Sequence, residues 1–91
     1  MIAKRVLFSG RVQGVGFRYT TREIATGFDV VGSVKNLADG TVEMEIMGEE
    51  DELREYLGEI TNESPVAHFI KEVHTENIQL LEQANGFRIV R

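Results

Sequence analysis

The sequence predicts an α+β sandwich in which two helices cover one face of a four-stranded antiparallel sheet. Stretches of β-type and helical periodicity follow one another in the order β-α-β-β-α-β. An Asp-Gly pair at residues 39–40 lies between the second and third β-type stretches and predicts a hairpin turn. At 91 residues the chain has the length of one domain, which we assign to residues 1–91.

The first strand and the first helix flank a glycine-containing loop. Residues 4–12 predict a strand that carries Val6 and Phe8 on its inward face. Two glycines within residues 13–16 interrupt this pattern, because glycine adopts backbone conformations that are closed to other residues. Residues 17–28 then have the apolar spacing of a helix.

The second half of the chain repeats this alternation of strand and helix. Residues 30–37 are β-rich, and residues 41–47 alternate cleanly between apolar and acidic or polar side chains. Residues 49–61 form an amphipathic pattern, with acidic groups in the first turn that suit the positive end of a helix. Residues 66–75 predict a fourth strand, and residues 87–91 have the composition of a short terminal strand. This order of elements is typical of the ferredoxin-like fold, which hosts many unrelated activities.

The amino-acid composition excludes several classes of protein. The apolar and charged fractions, 42% and 27%, are those of an ordinary soluble domain. The absence of cysteine excludes a disulfide framework and a thiolate zinc site, and it suits a reducing compartment. No apolar stretch is long enough to cross a membrane or to act as a secretory signal. We therefore expect a cytoplasmic protein, and a monomer, since no apolar pattern remains unassigned.

The charge distribution is uneven along the chain. A net charge of −5 argues against general nucleic-acid binding. RNA binding in particular is disfavoured, because the third strand has no aromatic residue on which a base could stack. Residues 1–36 nevertheless contain six of the ten basic residues and only two of the fifteen acidic ones. A local site for a small anion and a chance distribution beside an acidic helix both account for this asymmetry.

Residues 10–18, GRVQGVGFR, have the arrangement of a phosphate-binding loop. The segment leaves a strand and enters a helix, where free backbone N–H groups and the helix dipole favour an anion. Gly14 and Gly16 allow the backbone to curl around a ligand, and Arg18 can give a phosphate two parallel hydrogen bonds. The P-loop pattern is absent, and a dinucleotide fingerprint fails because Tyr19 occupies its third glycine position. From spacing alone, a tight structural turn with a solvated Arg18 is an equally acceptable interpretation.

The nine-residue string resembles the signature of the acylphosphatase family, whose members hydrolyse the carboxyl–phosphate bond of acyl phosphates. A second match, GSVKNLADGTVE at residues 32–43, lies where that family has its other functional residue. The resemblance continues through Gly48 and the second helix and ends at residues 87–89. Departures are Ser33, where the family commonly has an aromatic residue, and Ser64-Pro65, where many members have a Gly-Pro-Pro-like segment.

The resemblance implies a role for each part of the site. Arg18 would clamp the substrate phosphate, and Asn36 would position the attacking water. The loop residues whose backbone N–H groups would complete the phosphate site are Gln13, Gly14, Val15, Gly16 and Phe17. The implied ligand is a small-molecule acyl phosphate, with no metal and no other cofactor. The alternative is a module that binds phosphate, an acyl phosphate or carbamoyl phosphate without turnover.

Two other groups of side chains suggest metal ligands but are better explained as surface residues. His68 and His74 lie six positions apart on the predicted fourth strand, with no third ligand nearby. The acidic run at residues 49–52 lacks the alternating ligands and central glycine of a calcium loop. We expect the histidines to lie on the sheet surface and the acidic run to be a solvated helix start.

Overall fold

The structure is a computed structural model that describes residues 1–91, and it contains five strands and two α-helices. The strands are β1 (Ile2–Gly10), β2 (Val30–Asn36), β3 (Val42–Gly48), β4 (Ile70–Ile78) and β5 (Phe87–Val90). The helices are α1 (Phe17–Ala25) and α2 (Glu50–Gly58). A π-helical turn (Glu59–Glu63) extends α2, and a 3₁₀ turn (Ala67–Phe69) precedes β4. Neither helix has the length and apolar character needed to span a bilayer.

The strands form one sheet in the order β4-β1-β3-β2-β5. The first four strands pair antiparallel, which confirms the sheet predicted from the sequence. The short terminal stretch adds a fifth strand, and β5 pairs parallel to β2 with Val34 opposite Ile89. This parallel edge brings the end of the chain alongside the end of β2.

Several predicted element boundaries differ from those in the structure, and three of the differences have a clear physical reason. Strand β1 ends at Gly10, where a β-carbon would collide with the carbonyl oxygen of Phe69. Helix α1 ends at Ala25 rather than at residue 28, because the N–H groups of residues 26–28 make tighter, three-residue turns. The fourth strand begins at Ile70 rather than at residue 66, because residues 66–69 are held in turns that follow the π-helical segment.

The hydrophobic core lies between the sheet and the two helices. The rings of Phe8 on β1 and Phe17 at the start of α1 lie 4.9 Å apart and pin the beginning of α1 to the sheet. Tyr56 of α2 is fully buried, and its hydroxyl donates a hydrogen bond of 2.8 Å to the carbonyl oxygen of Thr21. Burial raises the pKa of the Tyr56 hydroxyl, so this donor stays protonated. The core therefore holds both helices in place and fixes the point at which α1 begins.

The opposite face of the sheet is polar and centred on Arg5. Its guanidinium lies 2.6 Å from Glu76, 3.2 Å from Glu45 and 3.6 Å from Glu43. The hydrogen bonds to Glu76 and Glu45 raise the pKa of Arg5. These three carboxylates neutralise Arg5, the one arginine on β1.

Candidate active site

The loop between β1 and α1 adopts a conformation that requires glycine at two positions. Gly14 and Gly16 have φ angles of 81° and 79°, in the left-handed region that favours glycine. Gly16 caps α1, a helix of nine residues whose positive end therefore faces the loop. The backbone N–H groups of residues 14–18 donate no hydrogen bond to any other part of the chain. Unpaired backbone donors at the start of a helix are groups that suit an anion.

Gln13 anchors the loop to the β2–β3 hairpin. Its Nε2 donates hydrogen bonds to the carbonyl oxygens of Leu37, at 2.8 Å, and Thr41, at 2.9 Å. The hairpin is itself braced, because an Asp39 carboxylate oxygen accepts hydrogen bonds from the hydroxyl and backbone N–H of Thr41. These two bonds lower the pKa of Asp39. The loop and the hairpin thus form one cross-linked unit, which places the end of β2 beside the loop.

A cavity of about 220 Å³ opens between this loop, the end of β2 and β5. Its lining residues are Val12, Gly14, Gly16, Phe17, Arg18, Tyr19, Asn36, Ile89 and Arg91. The charged side chains in this set belong to two arginines, Arg18 and Arg91, and no Asp or Glu side chain borders the cavity. Basic side chains without acidic neighbours are expected of a site for an anion.

Arg18 lies in the first turn of α1 and is half-buried. Its Nη1 donates to the carbonyl oxygen of Val90 at 3.4 Å, a long hydrogen bond that ties the guanidinium to β5. Arg18 forms no ion pair with any carboxylate. A guanidinium has five N–H donors, so most of them are left for a ligand in the cavity.

Asn36 is the last residue of β2 and lies opposite Val42 of β3. Its side chain borders the cavity, and its Oδ1 is buried without a hydrogen-bond partner. A buried unsatisfied polar atom costs about 1–3 kcal/mol of stability. Because the terminal torsion of asparagine is roughly two-fold, a flip of the amide exchanges the donor and the acceptor that it presents to the cavity.

The structure brings five of the predicted site residues to one cavity: Gly14, Gly16, Phe17, Arg18 and Asn36. The side chains of the other two have different contacts, since Gln13 binds the hairpin and Val15 packs against the core. Sequence reasoning missed four lining residues: Val12, Tyr19, Ile89 and Arg91. No local pattern identifies the last two, because they reach the cavity only through the parallel pairing of β5 with β2.

The two histidines lie apart from this cavity. His68 belongs to the 3₁₀ turn, where its ring lies 4.0 Å from that of Phe69, so its predicted position on the fourth strand is wrong. His74 is exposed on β4, with its Nε2 3.9 Å from a carboxylate oxygen of Glu72. No three His, Cys, Asp or Glu side chains come together in an arrangement that could hold a metal ion.

Replacing Gly16 with alanine is expected to lower the free energy of unfolding by about 1–2 kcal/mol, because an L-residue is strained at its positive φ. No atom lies within 4 Å of the added β-carbon, so the effect would come from the backbone and not from a clash. Chemical denaturation measures this change in the free energy of unfolding. Gly58→Ala is the matched control, since Gly58 also has open space but a helical φ of −62°. Equal stability of the two variants would contradict the expectation.

The chain is similar to known proteins over nearly its whole length. The family model for Acylphosphatase matches residues 4–89. A protein named Acylphosphatase from Archaeoglobus fulgidus is 41% identical over 88 residues, which is 92% of this chain and 99% of that protein. The Acylphosphatase of Listeria welshimeri is 40% identical over 82 residues, which is 90% of this chain and 88% of that protein.

Solved structures of acylphosphatases are also similar to this chain. The crystal structure of acylphosphatase from Bacillus subtilis has a TM-score of 0.89 and 35% identity, with all of both chains covered. The structure of HypF from T. kodakarensis has a TM-score of 0.86 and 26% identity, but this chain corresponds to only 12% of that one. Together with the amide-lined cavity and its arginine, these similarities show that the chain belongs to the acylphosphatase family of hydrolases.

Proposed function

We propose that this chain hydrolyses acyl phosphates, with Arg18 and the loop amides binding the phosphoryl group and Asn36 positioning the attacking water. The observation that carries the proposal is that three sets of polar groups with hydrogen-bonding capacity to spare border one cavity. These are the backbone N–H groups of Gly14, Gly16, Phe17 and Arg18, the remaining donors of the Arg18 guanidinium, and the side-chain amide of Asn36. The N–H groups and the guanidinium are donors for the phosphoryl oxygens, and the amide offers a donor and an acceptor to the attacking water.

Phosphate binding is the first requirement. An acyl phosphate carries close to two negative charges on its phosphoryl oxygens at neutral pH, by analogy with other phosphate monoesters. The loop amides and the helix dipole provide donors that need no reorganisation when the ligand arrives. Arg18 adds charge-assisted hydrogen bonds from a planar fork that matches the spacing of two phosphate oxygens. The absence of a bordering carboxylate removes the repulsion that would otherwise oppose binding.

Attack by water completes the reaction. The water oxygen forms a new bond to phosphorus, and the bond between phosphorus and the bridging oxygen breaks with its electron pair leaving on the carboxylate. One water proton passes to a phosphoryl oxygen, so that the products are a carboxylate anion and dihydrogen phosphate. The leaving carboxylate is already a stable anion, so orienting the water contributes more than removing its proton. An uncharged amide suits this task, because it holds water without repelling the phosphate.

The direct test is release of inorganic phosphate from benzoyl phosphate by the native chain in the presence of a metal chelator. We expect turnover, and we expect kcat to show no essential side chain titrating near neutral pH. If phosphate binds in calorimetry but no product is released, the site belongs to a binding module for phosphate or carbamoyl phosphate. A titrating group near neutral pH would instead reveal a general base and overturn the assignment of proton transfer to the substrate.

We further propose that residues 1–91 act as a single-domain monomer in the cytoplasm. The family match over residues 4–89 supports the single domain. The lack of cysteine suits a reducing compartment. Four large hydrophobic side chains are exposed, and they belong to different parts of the chain: Met1, Tyr19, Val73 and Leu80. So small a number of exposed large hydrophobic residues supports the monomer.

A further inference from the structure

The loop between β4 and β5 (residues 79–86) ends in the only Asn-Gly pair of the chain, at residues 85–86. The side-chain amide carbon of an asparagine is open to attack by the backbone nitrogen of the next residue. This attack closes a succinimide ring and releases ammonia. A following glycine favours it, because glycine has no β-carbon to obstruct the approach. Asparagine is accordingly among the residues that limit the resistance of proteins to heat.

The structure leaves both reacting groups of this pair free. Asn85 and Gly86 are exposed, the backbone N–H of Gly86 donates no hydrogen bond, and the side chain of Asn85 makes none. The Asp-Gly pair in the β2–β3 hairpin differs in both respects. The N–H of Gly40 donates to the carbonyl oxygen of Leu37 at 3.2 Å, and the carboxylate of Asp39 accepts hydrogen bonds. Hydrogen bonds therefore restrain the hairpin pair and not residues 85–86.

We propose that Asn85 is a site of spontaneous deamidation and that the isoaspartate formed there loosens the start of β5. In the first step the backbone nitrogen of Gly86 forms a bond to Cγ of Asn85, and the side-chain nitrogen takes up the proton and leaves as ammonia. Water then opens the ring at one of its two carbonyl carbons, which gives either aspartate or isoaspartate. Water is the only co-reactant of the two steps.

The position of the pair makes isoaspartate the disruptive product. Its main chain runs through the former side chain, which lengthens the backbone by a methylene group just before β5. The carbonyl oxygen of Gly86 accepts a hydrogen bond of 2.9 Å from the N–H of Gly32 on β2. The next residue, Phe87, lies opposite Gly32 in the register, and its ring lies 6.0 Å from that of Tyr56. Because packing holds Phe87, the longer main chain displaces the carbonyl from Gly32. Aspartate keeps the original main chain and leaves this hydrogen bond in place.

Peptide mapping of the aged protein tests the modification. The native chain is incubated in mildly alkaline buffer and digested with trypsin, and peptide 72–88 is analysed by chromatography and mass spectrometry. This peptide also contains Asn77, which is exposed on β4 and precedes an isoleucine, as an internal control. We expect the mass increase of deamidation at Asn85 more than about tenfold faster than at Asn77, in two products of equal mass. Equal rates at the two residues, or an unmodified Asn85, would overturn the proposal.

Amide hydrogen exchange tests the loosening of β5. We expect the N–H of Gly32 to exchange about tenfold faster in the isoaspartate form than in the fresh chain, because it loses its acceptor. Asn85→Gln is expected to keep the fresh rate after the same incubation, since a longer side chain closes the ring far more slowly. Freshly prepared Asn85→Asp is the matched control, because it has the new charge on an ordinary main chain. If it exchanges as fast as the isoaspartate form, or if that form keeps the fresh rate, isoaspartate does not loosen β5.

The same change is expected to reach the cavity, because β5 contributes Ile89 to its lining and the carbonyl of Val90 holds Arg18. We expect the affinity for inorganic phosphate, measured by calorimetry, to fall about three- to tenfold on ageing of the native chain and not of Asn85→Gln. This consequence rests on the proposed function, whereas peptide mapping and hydrogen exchange do not. Failure of the fresh chain to bind phosphate counts against the proposed function alone. Unchanged affinity in the isoaspartate form would show that β5 keeps its place at the cavity and contradict its loosening.

Discussion

Replacing Arg18 with alanine is expected to lower kcat/KM for benzoyl phosphate by about 10²- to 10⁴-fold, with KM rising and kcat falling together. Two charge-assisted hydrogen bonds, each worth about 1.5–3 kcal/mol, account for a loss of this size. The substrate phosphate carries this charge before and during the reaction, so both binding and rate depend on the guanidinium. Steady-state kinetics and calorimetric titration with inorganic phosphate measure the two effects separately.

The fold is expected to survive this substitution. The one hydrogen bond that the Arg18 side chain makes within the chain is long, at 3.4 Å to the Val90 carbonyl, so its loss removes less than about 1 kcal/mol of stability. Arg18→Lys is expected to recover little activity, because a point charge does not reproduce the planar fork. Arg11→Ala is the matched control, since Arg11 is exposed just before the loop and does not line the cavity. A comparable loss in the control would mean that general positive charge, and not this guanidinium, binds the substrate.

Asn36→Ala is expected to reduce kcat for benzoyl phosphate by about 100- to 1000-fold while changing KM little. The magnitude is that of removing one well-placed polar group from a site that stabilises a transition state. The loss should fall on kcat, because the proposed role of Asn36 is to orient water and not to hold phosphate. Asn36→Asp should impair both parameters, since it places a carboxylate beside the substrate phosphate.

The stability of Asn36→Ala distinguishes a functional residue from a structural one. The Oδ1 of Asn36 is buried without a partner, so alanine breaks no hydrogen bond that this atom makes. We expect the free energy of unfolding, from chemical denaturation, not to fall, because alanine also removes the cost of this unsatisfied atom. Asn77→Ala on β4 serves as a control, because its Oδ1 accepts a hydrogen bond from Lys4 at the surface, far from the cavity lining. Full activity in Asn36→Ala would show that another group positions the water.

The site could be predicted from the sequence only where it depends on local chain geometry. The two glycines and Arg18 lie within five positions of one another, and the left-handed φ angles at Gly14 and Gly16 follow from residue type. Asn36 was identified through the resemblance of residues 32–43 to the family and not through its spacing from the loop. The contacts of Gln13 with the hairpin span 24 and 28 positions, and no periodicity indicates them.

By itself, the sequence determined the order of the elements, the inward faces of the strands and the position of the glycine-containing loop. These features depend on periods of two and 3.6 residues and on the backbone preferences of glycine, which are local properties. Only the tertiary structure decided that β5 pairs parallel to β2, which brings Ile89 and Arg91, 71 and 73 positions further along the chain, to the cavity that Arg18 lines. The alternation of side chains along a strand shows which of its faces is buried. It does not show which other strand will pair with it, because the main-chain hydrogen bonds that join two strands are the same for every residue type.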